Sequence, residues 1–60
     1  MTTDERIAKL RQAAGLIFEV QYELLAEDEK LPRDQRTESW RNLYRLRIEI
    51  ANECGRMERR

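Results

Sequence analysis

The chain has 60 residues, twelve basic and twelve acidic side chains, and no histidine. The zero net charge argues against a dedicated nucleic-acid binder, and no run of 18 apolar residues is present to span a membrane. A chain this short buries little core and usually needs a disulfide, a metal or self-association. A single cysteine, Cys54, excludes an intrachain disulfide, and without histidine a structural zinc site is disfavoured. We therefore expect self-association, with no metal and no cofactor.

The first predicted helix begins near residue 3 and ends near residue 28. Thr2 and Glu5 have the spacing of a capping box, and acidic residues in the first turn suit the helix dipole. From Ile7 to Leu25 there is no proline and a high density of strong helix formers.

Residues 29–32 are the predicted turn, because a residue before proline avoids the helical region and Pro32 suits the first turn of a new helix. The second helix is predicted over about 33–57. Gly55 either caps its C-terminus, ending it near Cys54, or is tolerated inside it. The predicted fold is all-α: a single domain, an antiparallel two-helix hairpin spanning residues 1–60.

Both predicted helices have apolar arcs that are too broad for one hairpin to cover. The arc of the first helix spans roughly 160° when residues are placed at 100° intervals. The simplest solution is a homodimer in which two hairpins form a four-helix bundle. The predicted dimer core comprises Ile7, Leu10, Ala14, Ile17, Leu24, Trp40, Leu43, Ile50 and Cys54.

Charge also favours the hairpin, because residues 19–29 carry acids and no base, while residues 33–47 are rich in arginine. Folding back at Pro32 would lay the acidic stretch beside the basic one. Exposed pairs of this kind contribute less than about 1 kcal/mol each, so they would set direction more than stability.

Several residues outside this core are candidates for binding a partner protein. Gly15 in mid-helix indicates close approach, either by another helix of the bundle or by a partner's side chain in a shallow groove. The Arg47 guanidinium either reaches a carboxylate of the first helix or binds the partner, and Leu16 with Ile48 forms a possible small contact surface. The full candidate set is Arg11, Gly15, Leu16, Phe18, Tyr22, Tyr44, Arg47 and Ile48.

Catalysis is not expected. There is no histidine to activate Cys54 or Ser39, and the carboxylate pairs on the first helix are typical of a solvated face. Cys54 is expected to be a buried small hydrophobe rather than a redox centre. No small-molecule substrate is predicted, and the lone thiol and polar N-terminus favour the cytoplasm.

In length and helix pattern the chain resembles the compact modulators carried by phages and plasmids. That resemblance implies an inhibitor or adaptor that docks on a host protein such as a transcription regulator or a motor ATPase. The alternative is an RNA-binding bundle resembling the Rop plasmid regulator, in which Arg41, Arg45, Arg56, Arg59 and Arg60 would form the basic strip. A helix-turn-helix DNA binder is less favoured because a third helix usually completes that motif.

Overall fold

A computed structural model describes residues 1–59 as two long helices that pack against each other. Helix α1 spans Thr3–Glu29 and helix α2 spans Ser39–Glu58, and a single 3-10 turn, Arg33–Gln35, lies between them. The Cα atoms fill a plate of 46 × 15 × 11 Å. The predicted all-α hairpin is confirmed. Arg60, which belonged to the predicted basic strip, lies outside the described residues.

Helix α1 begins as the sequence predicts. The Thr2 side-chain oxygen accepts a hydrogen bond from the Glu5 backbone N–H at 3.2 Å, and Asp4 and Glu5 lie in the first turn. This bond satisfies one of the free amides at the helix start, and the acids suit its positive end.

Helix α2 begins at Ser39, six positions later than the predicted start at residue 33. Pro32 does open a helical turn, because its carbonyl accepts the Gln35 N–H at 2.9 Å, but the turn ends at Arg36, which is extended. The physical reason is Asp28. Its carboxylate accepts the backbone N–H groups of Thr37 and Glu38, which holds those two residues outside the helix.

Gly55 lies inside α2, which continues to Glu58 and ends with Arg59 as its C-terminal cap. Of the two possibilities that the sequence left open, the structure therefore has the longer helix. The predicted end at residue 57 is one residue short.

The seam between the helices follows a seven-residue repeat, which keeps one side of each helix towards its neighbour. Ile7 and Cys54 are 6% and 4% exposed, and they are the buried apolar residues among those described. Further along the same seam the buried positions are polar, since Gln21 is 8% and Asp28 5% exposed. The seam positions are Ile7, Ala14, Gln21 and Asp28 on α1, and Trp40, Arg47 and Cys54 on α2.

The predicted pairing of the acidic and basic stretches does not occur as expected. Among residues 1–59, no ion pair joins residues 19–29 to residues 33–47; the interhelical ion pair is Arg11 with Glu58, at the open end of the hairpin. Arg47 bonds an amide rather than a carboxylate. The antiparallel direction is instead accompanied by hydrogen bonds of Gln21 and Asp28 along the seam.

Candidate interaction faces

A two-helix plate has two broad faces, one on each side of the seam, and in this protein both carry apolar groups. Residues three after and four after a seam position of α1 lie on opposite sides of the seam, as the 100° step of a helix requires. The two faces can therefore be assigned residue by residue. We call them the open face and the aromatic face.

The open face is almost purely apolar. Leu10, Leu46, Ile50 and Met57 together line a shallow depression of about 380 Å³, with Glu49 and Glu53 at its border. Repeating these positions by sevens adds Ile17, Leu24 and Leu43 to the same side. The members of the open face are Leu10, Ile17, Leu24, Leu43, Leu46, Ile50 and Met57.

The structure divides the predicted dimer core into two groups. Ile7 and Cys54 are buried within the single hairpin, and Ala14 lies beside them on the seam. Leu10, Ile17, Leu24, Leu43 and Ile50 belong to the open face and are only half-buried. The single chain thus covers the seam residues itself and leaves the open-face residues partly in contact with solvent.

Trp40 belongs to the loop end of the hairpin. It is half-buried, and the Arg41 guanidinium carbon lies 5.4 Å from its ring centroid. Together with Leu25 and Asp28 it lines a depression of about 320 Å³ under the 3-10 turn.

The chemistry of the aromatic face differs from that of the open face. Phe18 and Tyr22 form a tilted pair with ring centroids 6.1 Å apart, and Tyr22 is 64% exposed. The Arg47 guanidinium carbon lies 4.5 Å from the Phe18 ring centroid. Helical spacing places Tyr44 and Ile48 on the same side of α2, and both are exposed. The members of the aromatic face are Arg11, Gly15, Phe18, Tyr22, Tyr44, Arg47 and Ile48.

Arg47 is held by two contacts at once. Its Nη1 donates a hydrogen bond of 2.9 Å to Gln21 Oε1, and its guanidinium lies over the ring of Phe18. The prediction that its guanidinium reaches a carboxylate of the first helix is wrong, because the acceptor is the Gln21 amide. A delocalised guanidinium suits both the amide oxygen and the aromatic ring. Arg47 therefore contributes to the aromatic face through its contact with Phe18, and its hydrogen bond to Gln21 holds it to the seam.

Next to this contact the aromatic face is hollow. Ala14, Ala51 and Gly55 line a depression of about 310 Å³ whose rim includes the Arg11–Glu58 ion pair. Gly15 is exposed, and a Cβ atom added to it would meet nothing within 4 Å. Nothing in the single chain approaches Gly15 closely, so packing within the hairpin does not explain that glycine.

Leu16 does not join the other candidates. It is 59% exposed and lies two residues from Ala14, which places it on the side of α1 that points away from α2. The predicted contact surface shared by Leu16 and Ile48 is therefore wrong, whereas Ile48 does share a face with Tyr44.

Cys54 is buried in the seam, as predicted. Over residues 1–59 no cluster of three or more cysteine and acidic side chains could hold a metal ion. Neither α1 nor α2 contains a stretch long and apolar enough to cross a membrane.

Asp28 is the functional side chain that sequence reasoning missed. An aspartate in the last turn of a helix opposes the helix dipole, and this misplaced charge was the available signal. In the folded chain the same carboxylate lies just before the N-terminus of α2, where negative charge is favourable.

No protein-family model, curated protein or solved structure matches this chain.

Proposed function

We propose that this protein is a non-enzymatic docking module. Two copies pair through their open faces into a four-helix bundle, and the aromatic face of each copy binds a different protein and blocks or bridges it. The observation that carries the proposal is that the hairpin has an apolar face on each side, so one copy can cover only one of them.

The chemistry of the aromatic face supports binding to protein. Tyrosine, phenylalanine and arginine are the residue types enriched at the centres of protein interfaces. Phe18 already contacts both Tyr22 and Arg47, so less side-chain freedom is lost when a partner binds. The adjacent hollow lined by Ala14, Ala51 and Gly55, and the open space above Gly15, leave room for a side chain of the partner.

The resemblance to phage and plasmid modulators supplies the class of partner: a host protein such as a transcription regulator or a motor ATPase. Function by occupation of a host surface needs no catalytic group. A hairpin of 60 residues that presents a rigid aromatic patch is sufficient for that role.

The RNA-binding alternative has weaker support from the side chains. Arg41 bonds Glu38 and Arg56 bonds Glu53, so two of the predicted phosphate-binding bases already contact acids. Retention on a polyanion column at about 0.15 M salt, falling steeply as salt rises, would favour the RNA reading over docking on a protein.

Affinity capture from a native lysate with three matched baits tests the docking function. The wild-type chain and a Leu16→Ala variant should retain the same protein, because Leu16 lies off both faces. A Tyr22→Ala/Tyr44→Ala variant should lose it by about tenfold or more, since buried tyrosines dominate such interfaces. Circular dichroism confirms that all three baits are folded. Equal capture by the double tyrosine variant would contradict the proposal.

A further inference from the structure

The size of the open face matches what a second copy of the chain needs. A plate of 46 by 15 Å between Cα atoms offers roughly 700 Å² on one side, close to the ~800 Å² per partner of a standard protein interface. The face has no charged side chain at its centre, as expected for the core of a homodimer. The open question is how the copy is oriented.

A two-fold dimer requires the face to complement itself, and two orientations satisfy the packing. In both, Ile17 and Ile50 of the two copies form the central layer. If the copy is turned end over end, so that the two loops lie at opposite ends, Leu10 meets Leu24 of the copy. If both loops lie at the same end, the same-end orientation, each layer meets the same layer of the copy. Apolar packing alone therefore does not choose between them.

The charged residues along the outer edge of α1 favour one of the two orientations. Arg6 near the N-terminus and Glu27 near the C-terminus lie on the side of α1 that borders the open face, and Lys9 and Glu23 lie beside them on the side that points away from α2. Turned end over end, α1 lies antiparallel on α1 of the copy. The basic end of each then meets the acidic end of the other.

The same-end orientation lays α1 on α2 of the copy and brings like charges together. The contacts Gln21–Arg47 and Arg11–Glu58 fix which residues of α1 and α2 lie at the same height along the hairpin axis. At these heights Glu23 lies within about one helical turn of Glu49 of the copy, and Lys9 within about one turn of Arg56. Both are repulsive.

The end-over-end orientation has one unfavourable contact, where Glu49 and Glu53 of α2 approach the same residues of the copy. Arg56 already bonds Glu53 and lowers that repulsion. On α1 the directly facing positions are complementary in size, because Ala13 of one copy lies opposite Val20 of the other. The balance of charge and size favours the end-over-end orientation.

We propose that a second copy of the chain covers the open face end over end, so that α1 packs antiparallel on α1 and the two loops lie at opposite ends of the bundle. This orientation rests on the dimer of the proposed function. It leaves the two aromatic faces on opposite outer surfaces of the bundle.

Light scattering with size-exclusion chromatography tests whether the dimer exists. The wild-type chain should have twice its 7.3 kDa mass, and Val20→Glu should return it to one chain mass, because Val20 is 51% exposed in the single chain yet faces the copy. A wild-type chain that stays monomeric at millimolar concentration would overturn both the dimer and its orientation.

Charge reversal tests the orientation separately. Arg6→Glu/Lys9→Glu and Glu23→Lys/Glu27→Lys should each weaken dimerisation by about tenfold at low salt, and the fourfold variant that combines them should restore it. Glu29→Lys is the control, since it reverses an exposed charge on the aromatic side of α1, next to the seam residue Asp28. A dimer whose fourfold variant gains nothing over the two double variants would overturn the orientation while leaving the dimer intact.

A distance measurement gives an independent answer. Spin labels on Asp34→Cys in a Cys54→Ala background should be separated by about the 46 Å length of the hairpin. A separation below half that length would place both loops at one end and overturn the orientation. If Cys54→Ala fails to dimerise, the charge-reversal series, which retains Cys54, decides alone.

Discussion

The most consequential single residue in this fold is Asp28. Its carboxylate accepts the Glu38 N–H at 2.9 Å, the Thr37 N–H at 3.3 Å and the Thr37 hydroxyl at 3.5 Å while being 5% exposed. It therefore joins the end of α1, the loop and the start of α2 in one place. Charge-assisted bonds of this kind are stronger than neutral ones when water is excluded.

We expect Asp28→Ala to lower the free energy of unfolding by about 2 kcal/mol, because two partly buried backbone N–H groups lose their charged acceptor. Urea unfolding followed by circular dichroism measures this. Asp34→Ala, in the exposed 3-10 turn, is the matched control and should change stability by less than about 0.5 kcal/mol. Equal effects of the two substitutions would contradict the role of Asp28.

Glu38 has a left-handed backbone conformation, with φ 56° and ψ 20°, which residues other than glycine rarely adopt. Glu38→Gly should raise the free energy of unfolding by about 0.5–1 kcal/mol, since relief of this strain exceeds the added freedom of the unfolded chain. The exposed Glu38–Arg41 ion pair contributes little against that gain. Glu38→Ala lacks the carboxylate but keeps the Cβ atom, so it should show no gain in thermal melting.

At the scale of the elements, one polar pair joins the two helices in the middle of the seam. Gln21 and Arg47 bond each other at mid-seam, and Phe18 covers the guanidinium. A pair of this kind fixes the register of two helices, since sliding one along the other would leave both groups without a partner.

A double-mutant cycle measures this pair. Gln21→Leu should lower stability by about 1–2 kcal/mol, because Arg47 loses its acceptor, whereas Gln21→Leu/Arg47→Leu should recover most of the loss. The measurement is urea unfolding of the four proteins. Additive losses would show that the bond does not couple the helices.

Gly15 weakens α1 without any packing reason inside the chain. Gly15→Ala should therefore raise the free energy of unfolding by about 0.5–1 kcal/mol, the ordinary difference in helix propensity. Thermal melting checks this, with Ala8→Gly, at an exposed position of the same helix, as the reverse control. If a partner fills the hollow beside Gly15, Gly15→Leu should abolish its capture while the melt is retained.

At the scale of the whole molecule, the hairpin has too little interior for its apolar surface. Ile7 and Cys54 are the buried apolar residues among those described, whereas Phe18, Val20, Tyr44 and Leu46 are about half exposed. Small chains compensate for a thin core by covering one another.

The melting temperature should consequently depend on protein concentration. For a dimer that unfolds to two chains, a tenfold rise in concentration should raise Tm by about 5 °C. The Val20→Glu variant, which carries a new charge at the border of the open face, should melt at a temperature independent of concentration. A wild-type Tm that is constant over a hundredfold range would show that folding does not involve a copy.

The sequence by itself determined the two helices, the turn between them and the all-α class, because capping residues, helix formers and a lone proline act locally. Thr2 does what its local chemistry predicts, whereas Pro32 opens only a 3-10 turn and not α2. The sequence also predicted correctly that Cys54 is buried, from its place in an apolar arc.

Only the tertiary structure decided where α2 begins, what Arg47 binds and which residues share a face. The start at Ser39 depends on Asp28, nine to ten residues earlier in the chain, and the partner of Arg47 is an amide on the other helix. The division of one broad apolar arc into a seam and two faces likewise depends on which side of α1 meets α2. These outcomes arise from contacts between segments distant along the chain, and helical periodicity reports only what lies on one helix.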